Sequence, residues 1–238
     1  MRYIGFSTGA LALSDVRRAI RMLETTKCNA IELSALRQNE LLPLVEQLDN
    51  LPLDQFVHIS FHAPSSIDPA FEPAALTLLE KVHARGWPII VHPDAMHTVR
   101  EWSCFGNLLY VENMDKRKPI GQTASDLAGI FEYLPEASLC MDLGHARQVD
   151  PTMSEATAIL VRFRDKLRQL HVSEVNAQSR HDPLTLEATM AFRRVAQLIP
   201  EGIPVILESR VEESQIENEI AAVLAALDPT RTLAVAGD

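Results

Sequence analysis

Residues 139–147 read LCMDLGHAR, an apolar run that ends in Asp142 and is followed, across Gly144, by His145. A carboxylate and an imidazole at the end of a buried strand suit proton transfer or metal binding. One pair of this kind carries little information. The same pattern, a short apolar run that ends in His, Glu or Asp, recurs along the chain, and this recurrence indicates the fold.

Eight short apolar runs are candidate strands, and longer segments with apolar residues at helical spacing separate them. The runs are RYIGF (2–6), AIELS (30–34), FVHISF (56–61), PIIVH (88–92), LLYVE (108–112), SLCMD (138–142), RQLHVS (168–173) and PVILES (204–209). The predicted helices lie within residues 14–26, 39–50, 73–86, 123–134, 153–167, 185–199 and 211–227. A repeat of about thirty residues is the size of a βα unit.

Eight such units predict an α/β fold of the (β/α)8 type, a TIM barrel. A doubly wound open sheet is the alternative, but no GxGxxG sequence follows the first run. No linker, low-complexity run or change of composition divides the chain, so we expect one barrel domain over residues 1–238. The C-terminal stretch PTRTLAVAGD (229–238) is interpreted as a surface tail.

The composition is ordinary for a globular protein, with 47% hydrophobic and 23% charged residues. A net charge of −10 disfavours non-specific binding to nucleic acid. The three cysteines are far apart and form no CxxC, which favours a reducing cytoplasm. No segment is apolar for long enough to span a bilayer, and the N-terminal stretch lacks the apolar run of a signal peptide. The sequence is compatible with a monomer and with a homo-oligomer.

Imidazole and carboxylate side chains follow most of the candidate strands. In a (β/α)8 barrel the C-terminal ends of the strands form the catalytic face. Residues two apart share one side of a strand, so the third run places His58, Ser60 and His62 together, with His62 last. The residues expected at one mouth are His62, His92, Glu112, Asp142, His145, His171, His181, Asp182 and Glu208.

Each of these residues, taken singly, is as compatible with a solvated or capping side chain as with a functional one. Together they predict a metal site, because Asp and Glu are almost never fully buried unless they are paired. Several imidazoles beside carboxylates suit a divalent cation. Mixed His, Asp and Glu ligation favours zinc, manganese, cobalt or iron over calcium.

The chain resembles the xylose-isomerase-like (β/α)8 superfamily, which contains sugar isomerases and epimerases and also abasic-site nucleases of the endonuclease IV type. The resemblance extends from residue 2 to residue 210, and its most specific parts are HPDA (92–95), VEN (111–113), MDLGHA (141–146), HVSEVNAQSRHDPL (171–184) and LES (207–209). It implies one to three divalent ions, zinc, manganese or cobalt. The principal ion would be bound by Glu112, Asp142, His171 and Glu208.

The nuclease branch of this resemblance implies two further ions. His62 and His92 would join Glu112 around the second ion, and His145 and His181 would serve the third. The chain departs from the nuclease pattern at two positions. It has Ser7 where the nucleases carry a histidine, and Ser179 where they carry an aspartate two residues before the histidine that corresponds to His181. Asp182 is the alternative carboxylate for the third ion.

Three function classes follow. The first is a divalent-metal-dependent sugar or sugar-phosphate isomerase or epimerase, in which Glu112 and Glu208 act as base and acid. Its predicted substrate-binding residues are Glu174, Arg180 and Asp182, and Arg180 is equally compatible with a rim arginine that meets no substrate. The alternative is a zinc-dependent phosphodiesterase of the endonuclease IV type, the one class that would bind DNA. The third is a barrel without catalytic activity.

Overall fold

A computed structural model describes residues 2–228, so the predicted tail at residues 229–238 lies outside the described residues. Eight parallel strands close into a barrel, which confirms the predicted fold class. These strands are β1 (Ile4–Ser7), β2 (Ala30–Ser34), β3 (His58–His62), β4 (Ile89–Val91), β5 (Leu109–Glu112), β6 (Ser138–Asp142), β7 (Leu167–Val172) and β10 (Val205–Leu207). A hairpin of β8 (Glu174–Val175) and β9 (His181–Asp182) lies between β7 and β10.

The order of strands around the barrel is β1, β10, β7, β6, β5, β4, β3 and β2. The first and last strands close it, with Ile4 opposite Val205 and Phe6 opposite Leu207. β2 and β6 match their predicted runs residue for residue. Because every barrel strand is parallel to its neighbours, all eight C-terminal ends lie at the same mouth.

The helices surround this barrel. They are α1 (Thr8–Ala12), α2 (Val16–Leu23), α3 (Gln38–Gln47), α4 (Glu72–His83), α5 (Ala124–Tyr133), α6 (Leu143–Val149), α7 (Ser154–Arg162), α8 (Leu186–Arg193) and α9 (Ile216–Ala226). Short 3-10 turns cover residues 48–50, 93–95, 99–108, 196–198 and 213–215. Within residues 2–228, none of the helices has the length and apolar character that crossing a membrane requires.

The predicted helices are present, but α8 and α9 are shorter than their sequence patterns. α8 ends at Arg193 and α9 begins at Ile216, and 3-10 turns fill part of the remaining pattern. Two helices, α1 and α6, are not predicted, because five and seven residues are too few to show a helical period.

The outer and inner faces of the barrel differ in chemistry. Outward-facing side chains such as Phe6, Leu33 and Phe61 belong to the main apolar core between strands and helices. Inside, the Nε2 of Gln169 on β7 donates to Glu32 on β2 over 2.7 Å, and these two strands are not neighbours in the barrel. The hydrogen bond therefore crosses the interior, which is polar below the mouth.

Candidate metal centre

The four residues predicted to bind the principal ion come together at the mouth. Glu112 ends β5, Asp142 ends β6, His171 is the fifth residue of β7, and Glu208 follows β10 directly. One nitrogen or oxygen atom of each lies within 4.8 Å of the others. Nδ1 of His171 is 3.2 Å from Oε1 of Glu112 and 3.6 Å from Oε1 of Glu208. We call these four residues the principal ligand set, and their role as ligands stays a prediction.

A second group lies on one side of this set, at the ends of β3 and β4. Nε2 of His62 is 3.1 Å and Nε2 of His92 is 3.3 Å from Oε2 of Glu112. The backbone carbonyl of Ala63 accepts from Nδ1 of His62 over 2.6 Å, which fixes the ring and turns Nε2 toward Glu112. Glu112 thus offers one oxygen to this pair of histidines and the other to His171.

A third group lies on the opposite side and consists of Asp142, His145 and His181. The carboxylate that joins the two histidines is Asp142, which also belongs to the principal ligand set. Asp182, the carboxylate that the sequence suggests for this place, is outside the group and accepts from Nδ2 of Asn176 over 2.6 Å. The positions of these residues in the sequence do not reveal that Asp142 belongs to both the principal ligand set and the third group.

Helix α6 brings His145 to the mouth, and Asp142 caps it. Oδ1 of Asp142 accepts from the backbone N–H of His145 over 2.6 Å. A Cβ at Gly144 would lie 2.5 Å from the backbone oxygen of Ser173, so only glycine lets α6 approach the end of β7 this closely. The backbone carbonyl of Asn113 accepts from Nδ1 of His145 over 2.9 Å, which leaves its Nε2 free.

Glu32 is a buried residue of this site that the sequence analysis does not identify. It lies within β2 and not at its end, with Leu33 and Ser34 still to follow. Its Oε2 is 3.0 Å from Nε2 of His171. Its one sequence signal is a charged residue inside an otherwise apolar strand. Such a residue needs partners when it is buried, so it is a candidate for the site.

Burial and neighbouring charges displace the pKa values of the cluster strongly. Burial lowers the pKa of His62, but the hydrogen bond and charge of Glu112 outweigh this and raise it to about 9. Burial raises the pKa of Glu208 to about 8, against the attraction of His171. Burial also raises the pKa of Asp142, and the charge of Glu112 adds to the effect. Carboxylates this close and this buried repel one another, and cations between them relieve the repulsion.

The donor set fits a divalent transition metal. Among the described residues, Oδ2 of Asp142, Oε1 of Glu32 and Nδ1 of His92 are buried and have no hydrogen-bond partner. Unsatisfied buried polar atoms are costly, and a bound cation would give the carboxylate oxygens and the imidazole nitrogen a partner. Imidazole nitrogens mixed with carboxylate oxygens suit zinc, manganese or cobalt.

A pocket of about 220 Å³ opens onto these side chains. From the predicted metal-binding residues it is lined by His62, His92, Glu112, His145, His181 and Glu208. Ser7 and Ser179, the two departures from the nuclease pattern, also line it. The hydroxyl of Ser7 is hydrogen-bonded to that of Ser34 over 2.8 Å, and the hydroxyl of Ser179 accepts from Gln148 over 2.8 Å.

Three cationic side chains line the same pocket, and two of them are already paired. Nη2 of Arg117 is 2.8 Å from Oδ2 of Asp115, and Nζ of Lys118 is 2.8 Å from Oδ2 of Asp94. The guanidinium of Arg210 makes no hydrogen bond or ion pair with any residue between 2 and 228. Arg210 is therefore the cation available to an anionic group in the pocket.

The residues predicted to bind substrate lie elsewhere. Glu174 forms an ion pair with Arg147 over 3.0 Å, and Asp182 is held by Asn176. Arg180 is exposed, and none of the three lines the pocket. Their role in substrate binding stays a prediction without a structural contact to support it.

No protein-family model matches the chain, and no curated protein matches it either. Solved structures do match. The chain is 14% identical to 3-keto-D-glucoside 4-epimerase YcjR from E. coli, with a TM-score of 0.63 over 95% of this chain and 99% of that one. It is 17% identical to endonuclease IV from Thermus thermophilus, with a TM-score of 0.61 over 94% of this chain and 98% of that one.

A xylose-isomerase-like TIM barrel protein from Mycobacterium smegmatis, solved in complex with magnesium, is 16% identical, with a TM-score of 0.54 over 91% of this chain and 89% of that one. Identities this low show likeness of fold. These matches span sugar epimerase and nuclease structures over nearly the whole chain. The fold of this protein is therefore that of the xylose-isomerase-like TIM barrels.

Proposed function

We propose that the protein is a divalent-metal-dependent isomerase or epimerase of a sugar or sugar phosphate. The observation that carries the proposal is the convergence of Glu112, Asp142, His171 and Glu208 within 4.8 Å beside a small pocket. A pocket of about 220 Å³ has room for a small molecule. The net charge of −10 is consistent with a substrate other than nucleic acid.

The principal ligand set would hold the cation through one histidine nitrogen and three carboxylates. When bound, a divalent ion supplies Lewis-acid polarisation of a substrate carbonyl, which makes the adjacent C–H more acidic. The protein's own groups must move the proton. We assign Glu112 and Glu208 to this task, because both line the pocket.

The two carboxylates reach different sides of the pocket through their second oxygens. Oε2 of Glu112 lies 3.1 Å from His62, and Oε2 of Glu208 lies 3.3 Å from His181. One carboxylate removes the proton from the carbon next to the carbonyl, and the other returns a proton, to the same carbon in an epimerisation or to its neighbour in an isomerisation. An anionic substituent of the substrate would meet Arg210.

The experiment is proton exchange with solvent. A panel of aldoses, ketoses and their phosphates is incubated in deuterium oxide with the protein and zinc, manganese or cobalt, and NMR detects deuterium next to the carbonyl. We expect exchange with wild type, none with Asp142→Asn, and wild-type exchange with Glu80→Gln, which changes an exposed glutamate on α4. Absence of exchange with every sugar and every metal would contradict the proposal.

A second candidate is a zinc-dependent phosphodiesterase, favoured by one observation. The groups His62, His92, Glu112 and Asp142, His145, His181 lie on the two sides of the principal ligand set and share residues with it. A single-ion sugar enzyme does not need these four extra histidines, whereas bridged ions can hold both the attacking and the leaving oxygen of a phosphodiester. Under this candidate the partner is DNA.

Ion counting and variants of the outer histidines separate the two candidates. Elemental analysis of protein purified without chelators is expected to give one ion per chain for the sugar enzyme and two or three for the hydrolase. His62→Asn combined with His145→Asn would abolish cleavage of an abasic duplex at low salt. The same pair would leave solvent exchange by a single-ion isomerase in place. If the protein shows neither activity with any of the metals, the barrel without catalytic activity is supported.

A further inference from the structure

Glu32 contacts Nε2 of His171, and two members of the principal ligand set lie near the other ring nitrogen. One donor atom each of Glu32, His62, His171 and Glu208 also lies within 4.8 Å of the others. Nδ1 of His171 faces Glu112 at 3.2 Å and Glu208 at 3.6 Å. Nε2, the other ring nitrogen, is 3.0 Å from Oε2 of Glu32. Both Glu32 and His171 have no solvent exposure, so no water replaces either contact.

We propose that Glu32 is a positioning residue, which accepts the Nε2–H of His171 and so presents Nδ1 to the principal ligand set. The inference rests on the proposed metal centre. A neutral imidazole carries one proton, and a carboxylate only accepts hydrogen bonds. Hydrogen bonding of the second ring nitrogen to a carboxylate fixes the tautomer and the ring orientation of a metal-binding histidine.

The carboxylate is itself held in place. Its Oε2 also accepts from the hydroxyl of Ser60 over 3.0 Å and from Nε2 of Gln169 over 2.7 Å. These donors come from β3 and β7, so Glu32 is tied to both sides of the barrel interior. A carboxylate that cannot rotate holds the imidazole in one orientation, which a flexible acidic side chain would not do.

Two arrangements compete with this one. Glu32 could itself bind an ion together with His62, His171 and Glu208, in which case zinc and not a proton would lie on Nε2. Gln169 offers the other. Its amide nitrogen lies 3.1 Å from Nε2 of His171, and it could donate there if Nε2 carried the lone pair. That lone pair would also face the negatively charged oxygen of Glu32 at 3.0 Å, which is repulsive. A proton on Nε2 removes the repulsion and is donated to Oε2 of Glu32. The amide of Gln169 already has other partners, because its nitrogen donates to Glu32 and its oxygen faces His58.

The first arm of the test measures zinc affinity by competition with a chromophoric chelator. We expect Glu32→Ala to weaken zinc binding about 100-fold and Glu32→Gln, whose amide oxygen still accepts from Nε2–H, about tenfold. Ser60→Ala is the graded comparison, because it removes one donor to the same oxygen and leaves the contact with His171. It is expected to lose less affinity than Glu32→Gln, since Gln169 still holds the carboxylate.

The second arm locates the proton by NMR of wild-type protein labelled with ¹⁵N in histidine, with and without zinc. We expect a proton on Nε2 of His171 in both states and zinc on Nδ1 in the loaded one. His171→Gln assigns the signal. An unprotonated Nε2 would overturn the inference, as would wild-type affinity in Glu32→Ala or an equal loss in Ser60→Ala.

The two proposals fail in different ways. If wild type binds no zinc, manganese or cobalt, the proposed metal-dependent function is wrong. A metal-free spectrum in which Nε2 of His171 carries no proton would still overturn the hydrogen bond to Glu32. If wild type binds zinc and Glu32→Gln unfolds, the wild-type spectra alone decide, since they need no variant of Glu32.

Discussion

Glu72 and Glu112 are both buried carboxylates, each with 1% exposure, in very different surroundings. Glu72, at the start of α4, accepts from Nε1 of Trp102 over 2.8 Å and from the backbone N–H of His97 over 2.7 Å. It also accepts from the backbone N–H of Thr98 over 3.0 Å and from its hydroxyl over 2.8 Å. Every one of these donors is an uncharged N–H or O–H group.

Glu112 is surrounded by imidazoles. One ring nitrogen of each of four histidines lies within 3.3 Å of its oxygens: His62, His92, His145 and His171. Imidazole nitrogens can stabilise a carboxylate as donors when protonated, and they can bind a cation beside it when they are not. Indole, amide and hydroxyl donors offer the first role alone.

The comparison separates a carboxylate that holds the fold together from one that is predicted to bind a metal ion. The donors around Glu72 tie the start of α4 to the segment after β4, and they leave no oxygen of Glu72 without a partner. The mouth keeps buried atoms without partners, Oδ2 of Asp142 among them. Burial alone does not distinguish the two regions, whereas the identity of the donors does.

The largest expected effect is a loss of stability when Glu72 is replaced. Glu72→Ala leaves four donors without their acceptor, so we expect the free energy of unfolding to fall by about 3 kcal/mol. Zinc content is expected to stay at the wild-type value. Urea denaturation and elemental analysis check both points. The control is Glu80→Ala, an exposed residue of the same helix, and an equal loss in both variants would contradict the assignment.

Zinc should stabilise the protein through the cluster around Glu112. At a free concentration of one hundred times Kd, a bound ion raises the free energy of unfolding by about 2.7 kcal/mol. We expect this gain in wild type and in Glu72→Ala, and none in Asp142→Asn. Urea denaturation with zinc and with a chelator measures it. A gain that survives Asp142→Asn and disappears in Glu72→Ala would reverse the comparison.

The pH dependence of stability gives a smaller effect. Burial raises the pKa of Glu72, but the hydrogen bonds from Trp102, Thr98 and His97 outweigh this and hold it below its ordinary value. A pKa that is lower in the folded state contributes stability above the unfolded pKa, near 4.3, and loses it as the pH falls through the folded value.

The measurement is the difference in free energy of unfolding between wild type and Glu72→Gln. We expect about 2 kcal/mol at neutral pH, where the carboxylate is charged. The difference should shrink as the pH falls below about 4.3, because protonated Glu72 and glutamine are alike in charge. A difference that is independent of pH would show that the charge of Glu72 contributes nothing.

Arg210 gives the smallest effect and extends the comparison to the rim. Arg210 lines the pocket, and its guanidinium has no partner within residues 2–228, as the buried unpartnered atoms at the mouth have none. Arg210→Ala should raise KM for a phosphorylated substrate about tenfold, equivalent to about 1.4 kcal/mol, and leave KM for the unphosphorylated sugar unchanged. Arg168→Ala, on the N-terminal half of β7, is the control. A larger effect from Arg180→Ala would favour Arg180, the residue predicted from the sequence, over Arg210.

Much of the site could be predicted because strand ends are visible in a sequence. Glu112 and Asp142 are the last residues of apolar runs, and parallel strands bring such ends to one mouth. Glu32 could not be found by the same rule, because β2 continues for two residues beyond it. Its function depends on a contact with His171, which is 139 residues away along the chain.

The residues that line the pocket are harder to predict from the sequence. Arg180 stays a predicted substrate-binding residue or a rim arginine, and Arg210, which follows Glu208 by two residues, lines the pocket. Helix α6, which carries His145, was not expected because its seven residues show no period. Both features depend on how loops fold over the barrel.

The number of βα units, their order and the chemical groups at their ends can be read from the amino-acid sequence, because hydrophobic periodicity is a local property of the chain. Three features emerge only in the folded barrel: Asp142 belongs to two of the candidate ligand groups, Glu32 contacts His171, and Arg210 lines the pocket. These are distances across a closed barrel, between residues far apart in the chain, and no local pattern encodes them.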